Sequence, residues 1–377
     1  MTWKKPLITA AAWVFCLQTT AGAMVPSETR PPVVFSGDAR GLLIRQDREL
    51  RDGTTDCNEE AILRVRIGAE SDLASNLRAK VRFAGRYSNN QSGTSFVFDD
   101  HPSGVAGLAA GESTMDEMWL ESRFGEEWLV RAGRMQTRFL PEGIAKQSID
   151  RHNSTNTMIN WTDGLMFMRD RGNGWRPQLI GHYNSPVRAS HPARPPLDFS
   201  GSGSRWGVAA AVDNRDPLGP VVHRGVSLNW LPNALPDQHD GRRDYITLTA
   251  RGAAAWPLGD DGTRFMLTGQ WGLAPNVQSR GPGMGRAENI GTMMGAQLLD
   301  LFPKHSVALF YSRAGDGWLL SPDVLVNTSA WEGRYEWRAG AWGVIEIRVR
   351  HRREIHSAAG EARVTDKEYY LRWTRSF

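Results

Sequence analysis

The feature that most constrains this chain is an alternation of charge and apolar surface with period two. In Arg78-Ala79-Lys80-Val81-Arg82-Phe83-Ala84-Gly85-Arg86-Tyr87, the residues Ala79, Val81, Phe83, Gly85 and Tyr87 share one parity, and Arg78, Lys80, Arg82 and Arg86 share the other. Val344-Ile345-Glu346-Ile347-Arg348-Val349-Arg350 repeats the pattern. Successive side chains of a strand point to opposite faces, so such segments require a sheet with one apolar and one charged side. The runs are about 9 to 13 residues long, more than the usual globular strand and suited to a tilted crossing of a bilayer.

Followed along the chain, the pattern predicts strands over 33 to 46, 60 to 69, 78 to 87, 114 to 124, 128 to 138, 155 to 169, 175 to 183 and 205 to 213. It continues over 221 to 230, 243 to 255, 263 to 273, 289 to 301, 305 to 313, 330 to 338, 341 to 352 and 363 to 377. From the first strand onward the connections are expected to alternate long and short. Gly125-Glu126-Glu127, Phe302-Pro303-Lys304 and Arg338-Ala339-Gly340 are short, whereas Ser88 to Ser113, Phe139 to Ser154 and Ala314 to Ser329 are long. Tight turns at one rim and long loops at the other are what an up-and-down barrel produces. Aromatics gather beside the short turns, at Phe124, Trp128, Trp175, Trp256, Phe265, Phe302, Trp342 and Phe377. Amphipathic rings at headgroup depth account for such a belt. The expected fold is therefore all-β, a transmembrane antiparallel up-and-down β-barrel of about 16 strands.

Composition narrows the field further. The only long apolar run, Leu7 to Leu17, is well short of the roughly 20 residues that a spanning helix needs. Lys4 and Lys5 before it and Ala21-Gly22-Ala23 after it complete a secretory leader over 1–23, leaving 24–377 as one barrel domain. The 45 basic and 41 acidic residues nearly cancel, so the balance points to no nucleic-acid partner. Removal of the leader leaves Cys57 as a lone thiol, which cannot staple a fold.

The last strand, Tyr369-Tyr370-Leu371-Arg372-Trp373-Thr374-Arg375-Ser376-Phe377, ends in phenylalanine behind alternating Tyr369, Leu371 and Trp373. It is similar to the C-terminal signal read by the barrel-assembly machinery, although Arg375 puts a charge on the apolar side. Glu127 to Phe139, with Gly133-Arg134, resembles the strand before the constriction loop of sixteen-stranded porins, and Asp163-Gly164-Leu165 resembles the strand after it. Ile62 to Arg82 is similar to the N-terminal hairpin of the porin, alginate-export and phosphate-selective channel groups. The chain thus resembles the Gram-negative outer-membrane porin superfamily. That resemblance implies an outer-membrane location, contact with membrane lipid, delivery through Phe377 to the assembly machinery, and a homotrimer. It also implies an inward-folded loop near 139–154.

With the apolar faces on lipid, the opposite faces line a pore. They supply Arg64, Arg66, Arg78, Lys80, Arg82 and Arg86 near one end of the chain, and Arg348, Arg350, Arg352 and Arg372 near the other. Closing the barrel makes these ends neighbours, so the arginines form one basic wall. Guanidinium groups stay charged and accept carboxylates or phosphates bidentately, giving an anion a series of shallow sites. Arg131 and Arg134 lie on opposite parities, and Arg134 and Arg138 are expected to point inward. Glu117, Glu121 and Arg123 share the lumen face of their strand, while Glu346 and Glu368 accompany the basic wall. The inward loop carries Glu142, Lys146, Asp150, Arg151 and His152. Glu142 and Asp150 are expected to oppose the arginines and set up a transverse field.

Other chemistries fail on spacing. His351-Arg352-Arg353-Glu354-Ile355-His356 has the wrong order for a helical zinc motif, and Gly281-Pro282-Gly283-Met284-Gly285 lacks the lysine of a phosphate loop. No G-x-S-x-G elbow occurs, and no catalytic residue, cofactor or metal is expected. The function expected is a water-filled channel for small hydrophilic solutes, favouring anionic or acidic ones. An outer-membrane lipid hydrolase and a surface adhesin or receptor are the alternatives.

Overall fold

Each alternating segment pairs with its chain neighbours, and the last pairs with the first, so the sheet has no free edge. The architecture comes from a computed structural model that describes residues 33–96, 107–153, 157–169, 174–185, 196–236, 241–260, 262–277, 287–357 and 360–377. The leader at 1–23, the glycine-rich stretch at 281–285 and Ser154 lie outside the described residues.

In chain order the strands are β1 (Val34–Glu49), β2 (Thr55–Ala74), β3 (Leu77–Ser88), β4 (Ser95–Phe96), β5 (Glu112–Phe124), β6 (Trp128–Met135), β7 (Thr162–Arg169), β8 (Trp175–Tyr183) and β9 (Trp206–Asn214). They continue as β10 (Val221–Pro236), β11 (Arg242–Pro257), β12 (Arg264–Leu273), β13 (Ile290–Phe302), β14 (His305–Ala314), β15 (Thr328–Arg338), β16 (Val344–Glu354) and β17 (Thr365–Ser376). β4 is a two-residue strand lying parallel to β5. The other strands form a closed 16-strand antiparallel barrel. The seam joins β1 to β17 in register from Asp38↔Ser376 to Glu49↔Thr365. Beyond it, Gly37 N donates to Phe377 O at 2.8 Å and Phe377 N donates to Gly37 O at 3.0 Å. A Cβ on Gly37 would stand 2.5 Å from the Phe377 ring, so only glycine lets that ring lie against the seam.

The parities separate as the alternation requires. On β16, Glu346, Arg348, Arg350 and Arg352 are buried inside the barrel while Ile347 and Val349 are exposed outside. Val81, Leu120, Leu165, Leu309 and Leu371 continue the exposed apolar row around the outer wall. A contiguous belt of this kind far exceeds the apolar patches that soluble monomers present to water, and it fits hydrocarbon. Exposed Phe124, Trp175, Trp256, Phe302, Trp342 and Phe377 ring the short-turn rim. A second group, Trp206, Trp230, Trp271 and Trp331, lies toward the opposite rim; the sequence pattern alone did not reveal it.

Two connections depart from the expected alternation. β1 and β2 run on together to Glu49↔Thr55, so the first connection is a tight turn at 50–54 rather than a long loop. Asp52 accepts a hydrogen bond from Thr54 N, and Gly53 at φ +79° supplies the left-handed residue this turn needs. β10 and β11 likewise extend to Pro236↔Arg242 through a bulge. Conversely, β6 stops at Met135 and β7 begins only at Thr162, because the chain between them turns into the barrel. The Gln136 side chain there donates to Asp116 O and Asn160 O, replacing the ladder bonds that end.

Candidate functional site

The lumen wall from β15 through β17 and on to β3 carries the basic row, and its charges are interleaved with acids. Arg64 pairs with Asp38 at 2.5 Å, Arg66 with Asp116 at 2.9 Å, and Arg82 with Asp116 at 2.8 Å and Glu117 at 2.6 Å. Lys80 reaches Glu117 at 3.3 Å. Across the seam, Arg372 pairs with Glu346 at 2.6 Å, Arg350 with Glu332 at 2.5 Å, Arg348 with Glu368, and Arg352 with Asp366 at 2.8 Å. Arg334 joins Glu332 to Glu346. Buried charges must be paired in this way, and charge-assisted pairs fix each guanidinium in place. Arg78 pairs with Asp72 toward the short turns, and Arg86 reaches Glu60 at 3.6 Å nearer the opposite rim.

Asp116, Asp38, Arg40, Glu332 and Arg334 were not singled out from sequence, and Asp116 explains why parity counting misses such residues. The β3–β5 register shifts between Arg82 and Phe83, so a β-bulge inserts one residue in β5. Asp116 and Glu117 are adjacent, yet both carboxylates reach Arg82.

Residues 136–153 fold into the barrel, and their acids meet the β9–β11 side. Asp150 accepts from Arg251 at 2.9 Å and from Asn229 at 3.2 Å, and it also bonds Ser227. Glu142 pairs with Arg215 at 3.1 Å and approaches His223. Both carboxylates are therefore tied to β9–β11 and its turn, on the side of the lumen opposite the arginine row, and each is already paired with a basic group there. Lys146 and Gln147 are the residues that cross to the basic wall, at Glu336 (3.3 Å) and Arg350 (3.2 Å). Arg151 is buried next to His182, and burial pulls it down to about 10 against the attraction of Asp150. Two inward glutamines hold the loop backbone. Gln270 accepts from Ile149 N and donates to Phe139 O, and Gln297 accepts from Ile144 N and donates to Glu142 O.

A second loop, 315–327, folds in behind the first. Trp318 donates to Ile149 O at 3.0 Å, Ser321 to Ser148 O at 2.5 Å, and Asp323 meets His152 Nε2 at 2.8 Å. Trp318, Leu319, Leu320 and Val324 pack with Ile144, Ile149, Met293 and Phe310 in one apolar cluster. That cluster fills the β10–β14 side of the lumen. On the opposite side lies a 390 Å³ cavity against Arg40, Arg64, Arg66, Arg82 and Arg372, closed over by Leu140, Pro141, Ala145 and Lys146 of the loop. Arg138 lines this slot and is exposed to it.

For β6 the parities resolve against one expectation. Arg131 stands opposite the lumen residue Glu121 and pairs with it at 2.5 Å, with its guanidinium 4.2 Å from the Trp119 ring. Arg123 pairs with the same Glu121 at 3.1 Å. Arg134 instead shares the parity of exposed Leu165, standing opposite Met118 and Asp163. It pairs with Asp163 at 2.9 Å beneath the fully buried Trp161 ring and is itself buried, although strand alternation puts residues 131 and 134 on opposite sides. His356 pairs with Glu288, and among the described residues no group of three His, Cys, Asp or Glu is positioned to hold a metal.

No protein-family model matches the sequence, and no curated protein matches it. By structure the chain is similar to OprB of Pseudomonas putida, with a TM-score of 0.60 at 11% identity over 91% of this chain and 94% of that one. It is also similar to OccK8 (OprE) of Pseudomonas aeruginosa, with a TM-score of 0.54 at 11% identity over 91% and 98%. OccK3 (OpdO) of the same organism gives a TM-score of 0.51 at 12% identity over 92% and 96%. The fold is that of the outer-membrane porins, a closed barrel of sixteen strands.

Proposed function

We propose that the chain is an outer-membrane channel through which small hydrophilic solutes diffuse, with a preference for anionic or acidic small molecules. What carries this reading is where the free space lies. One half of the lumen is filled by apolar loop packing, and the remaining slot runs along the arginine row. Barrels of about sixteen strands leave an aqueous lumen, whereas eight-stranded ones are filled by side chains. A guanidinium presents a planar fork of donors, so a carboxylate or phosphate exchanges water for successive bidentate contacts along the row.

Planar-bilayer recording tests the reading. Stepwise ohmic currents with an anion-selective reversal potential in a salt gradient are expected. Arg138 faces the slot and has no ion-pair partner among the described residues, so Arg138→Glu should move the reversal potential toward cations at little cost in folding. A reversal potential unchanged by that substitution would remove the anion preference. Protein that carries no current but releases fatty acid from phospholipid would be the lipid hydrolase instead.

A further inference from the structure

The lumen slot leaves one sequence oddity without a role, the charged Arg375 near the end of β17. It borders a second cavity, of 660 Å³, at the short-turn rim, together with Lys304 and Arg338. This cavity and the lumen slot lie side by side, with Val344, Thr374 and Ser376 in the lining of both. Local backbone geometry holds the basic groups there. Lys304 sits at φ +73° in the turn after Pro303, and Arg338 N donates to its carbonyl at 2.9 Å. Gly340, at φ +63°, carries no side chain beside the ammonium: a Cβ there would come to 3.9 Å from Lys304 Nζ. Arg338 is held by Asp300, whereas Lys304 and Arg375 have no carboxylate partner among the described residues. Arg64, Arg66, Arg82, Arg348, Arg350, Arg352 and Arg372 of the lumen wall are each matched by an acid, so two basic groups without one at the mouth stand out.

We propose that the mouth is a second anion site, at which Lys304, Arg338 and Arg375 hold the carboxylate or phosphate group of a small solute passing between the slot and the short-turn side. The proposal rests on the channel reading and extends it beyond the constriction. An exposed cluster of this kind attracts anions over about a Debye length, roughly 10 Å at 0.1 M salt, and so raises their concentration at the slot.

Single-channel current recorded with citrate added to one side at a time provides the test. Block is expected at lower citrate from one side than from the other. Lys304→Gln with Arg375→Gln should raise the half-blocking concentration on the sensitive side by about three-fold or more, leave the other side within about two-fold, and lose its effect at 1 M salt. Arg375→Gln alone, which leaves the Pro303-Lys304 turn intact, should give a smaller change of the same sidedness, so the test stands even if the double variant inserts poorly. Identical citrate block of conducting wild-type and variant channels from both sides overturns the mouth site. A wild-type protein that does not conduct overturns the channel reading instead.

Discussion

Asp116 has no exposure, and its carboxylate serves both Arg66 and Arg82. Removing one partner of a buried charged network leaves the others uncompensated, a loss of about 3 to 5 kcal/mol in measured cases. Asp116→Asn is therefore expected to lower the denaturant midpoint of the folded barrel and, in molecules that do fold, to increase anion selectivity. A variant with unchanged urea midpoint and reversal potential would show that the two arginines do not depend on this carboxylate. The residue also marks the limit of reading a strand by counting. Parity assigns Arg82, Glu117, Glu121 and Arg348 to the inner face from sequence alone, because each keeps the alternation of the strand residues beside it. It fails at Asp116, where a bulge adds a residue that no propensity announces, and it leaves the face of Arg134 undecided until the register with Asp163 is known.

At the scale of the element, the loops that shape the lumen are held by contacts remote in sequence. The resemblance implies an inward loop after β6 but says nothing of the wall that the segment leans on. Its anchors are Gln270, Gln297 and Arg251 on distant strands and Trp318 on another loop. Gly291 makes room for Trp318, since a Cβ there would lie 2.6 Å from the indole. Trp318→Ala removes a fully buried ring, a change that costs about 3 to 5 kcal/mol in packed cores. The expected outcome is a noisier channel with faster proteolysis within 136–161; quiet currents and unchanged protection would argue against the buttress. The same two loops meet at His152. Burial pulls its imidazole down, but the Asp323 carboxylate and the nearby Asp150 more than offset this, leaving it above the usual 6.5. A raised value in the folded state means that docking is fully stabilised below 6.5 and loses that contribution as pH rises through the raised value. Protease protection of 136–161 should therefore fall as pH rises above 6.5 in the wild type and stay flat in His152→Gln. A flat wild-type profile would remove the ion pair from the account.

Across the whole molecule, strand number and order were legible because an apolar outer wall and a charged inner wall impose period two on every strand, while the loops between strands obey no such rule. Closure is the property on which the rest depends: it brings Arg372 of the last strand beside Arg40 and Arg64 of the first two, and it leaves no edge to fray. The seam can be tested without touching the lumen charges. Gly37 and Gly41 lie on the same face of β1, but a Cβ on Gly37 would stand 2.5 Å from the Phe377 ring and 2.6 Å from Arg66 O, whereas on Gly41 the nearest atom, in Trp373, is 3.9 Å away. Gly37→Val must therefore displace the terminal ring or part the first and last strands, and Gly41→Val must not. Folded barrels of this class resist detergent until heated, so the temperature at which the compact electrophoretic band is lost measures closure. Gly37→Val is expected to lose that band at a clearly lower temperature, with Gly41→Val close to wild type. Equal transitions for the two variants would mean that the Phe377 contact contributes nothing to holding the cylinder shut.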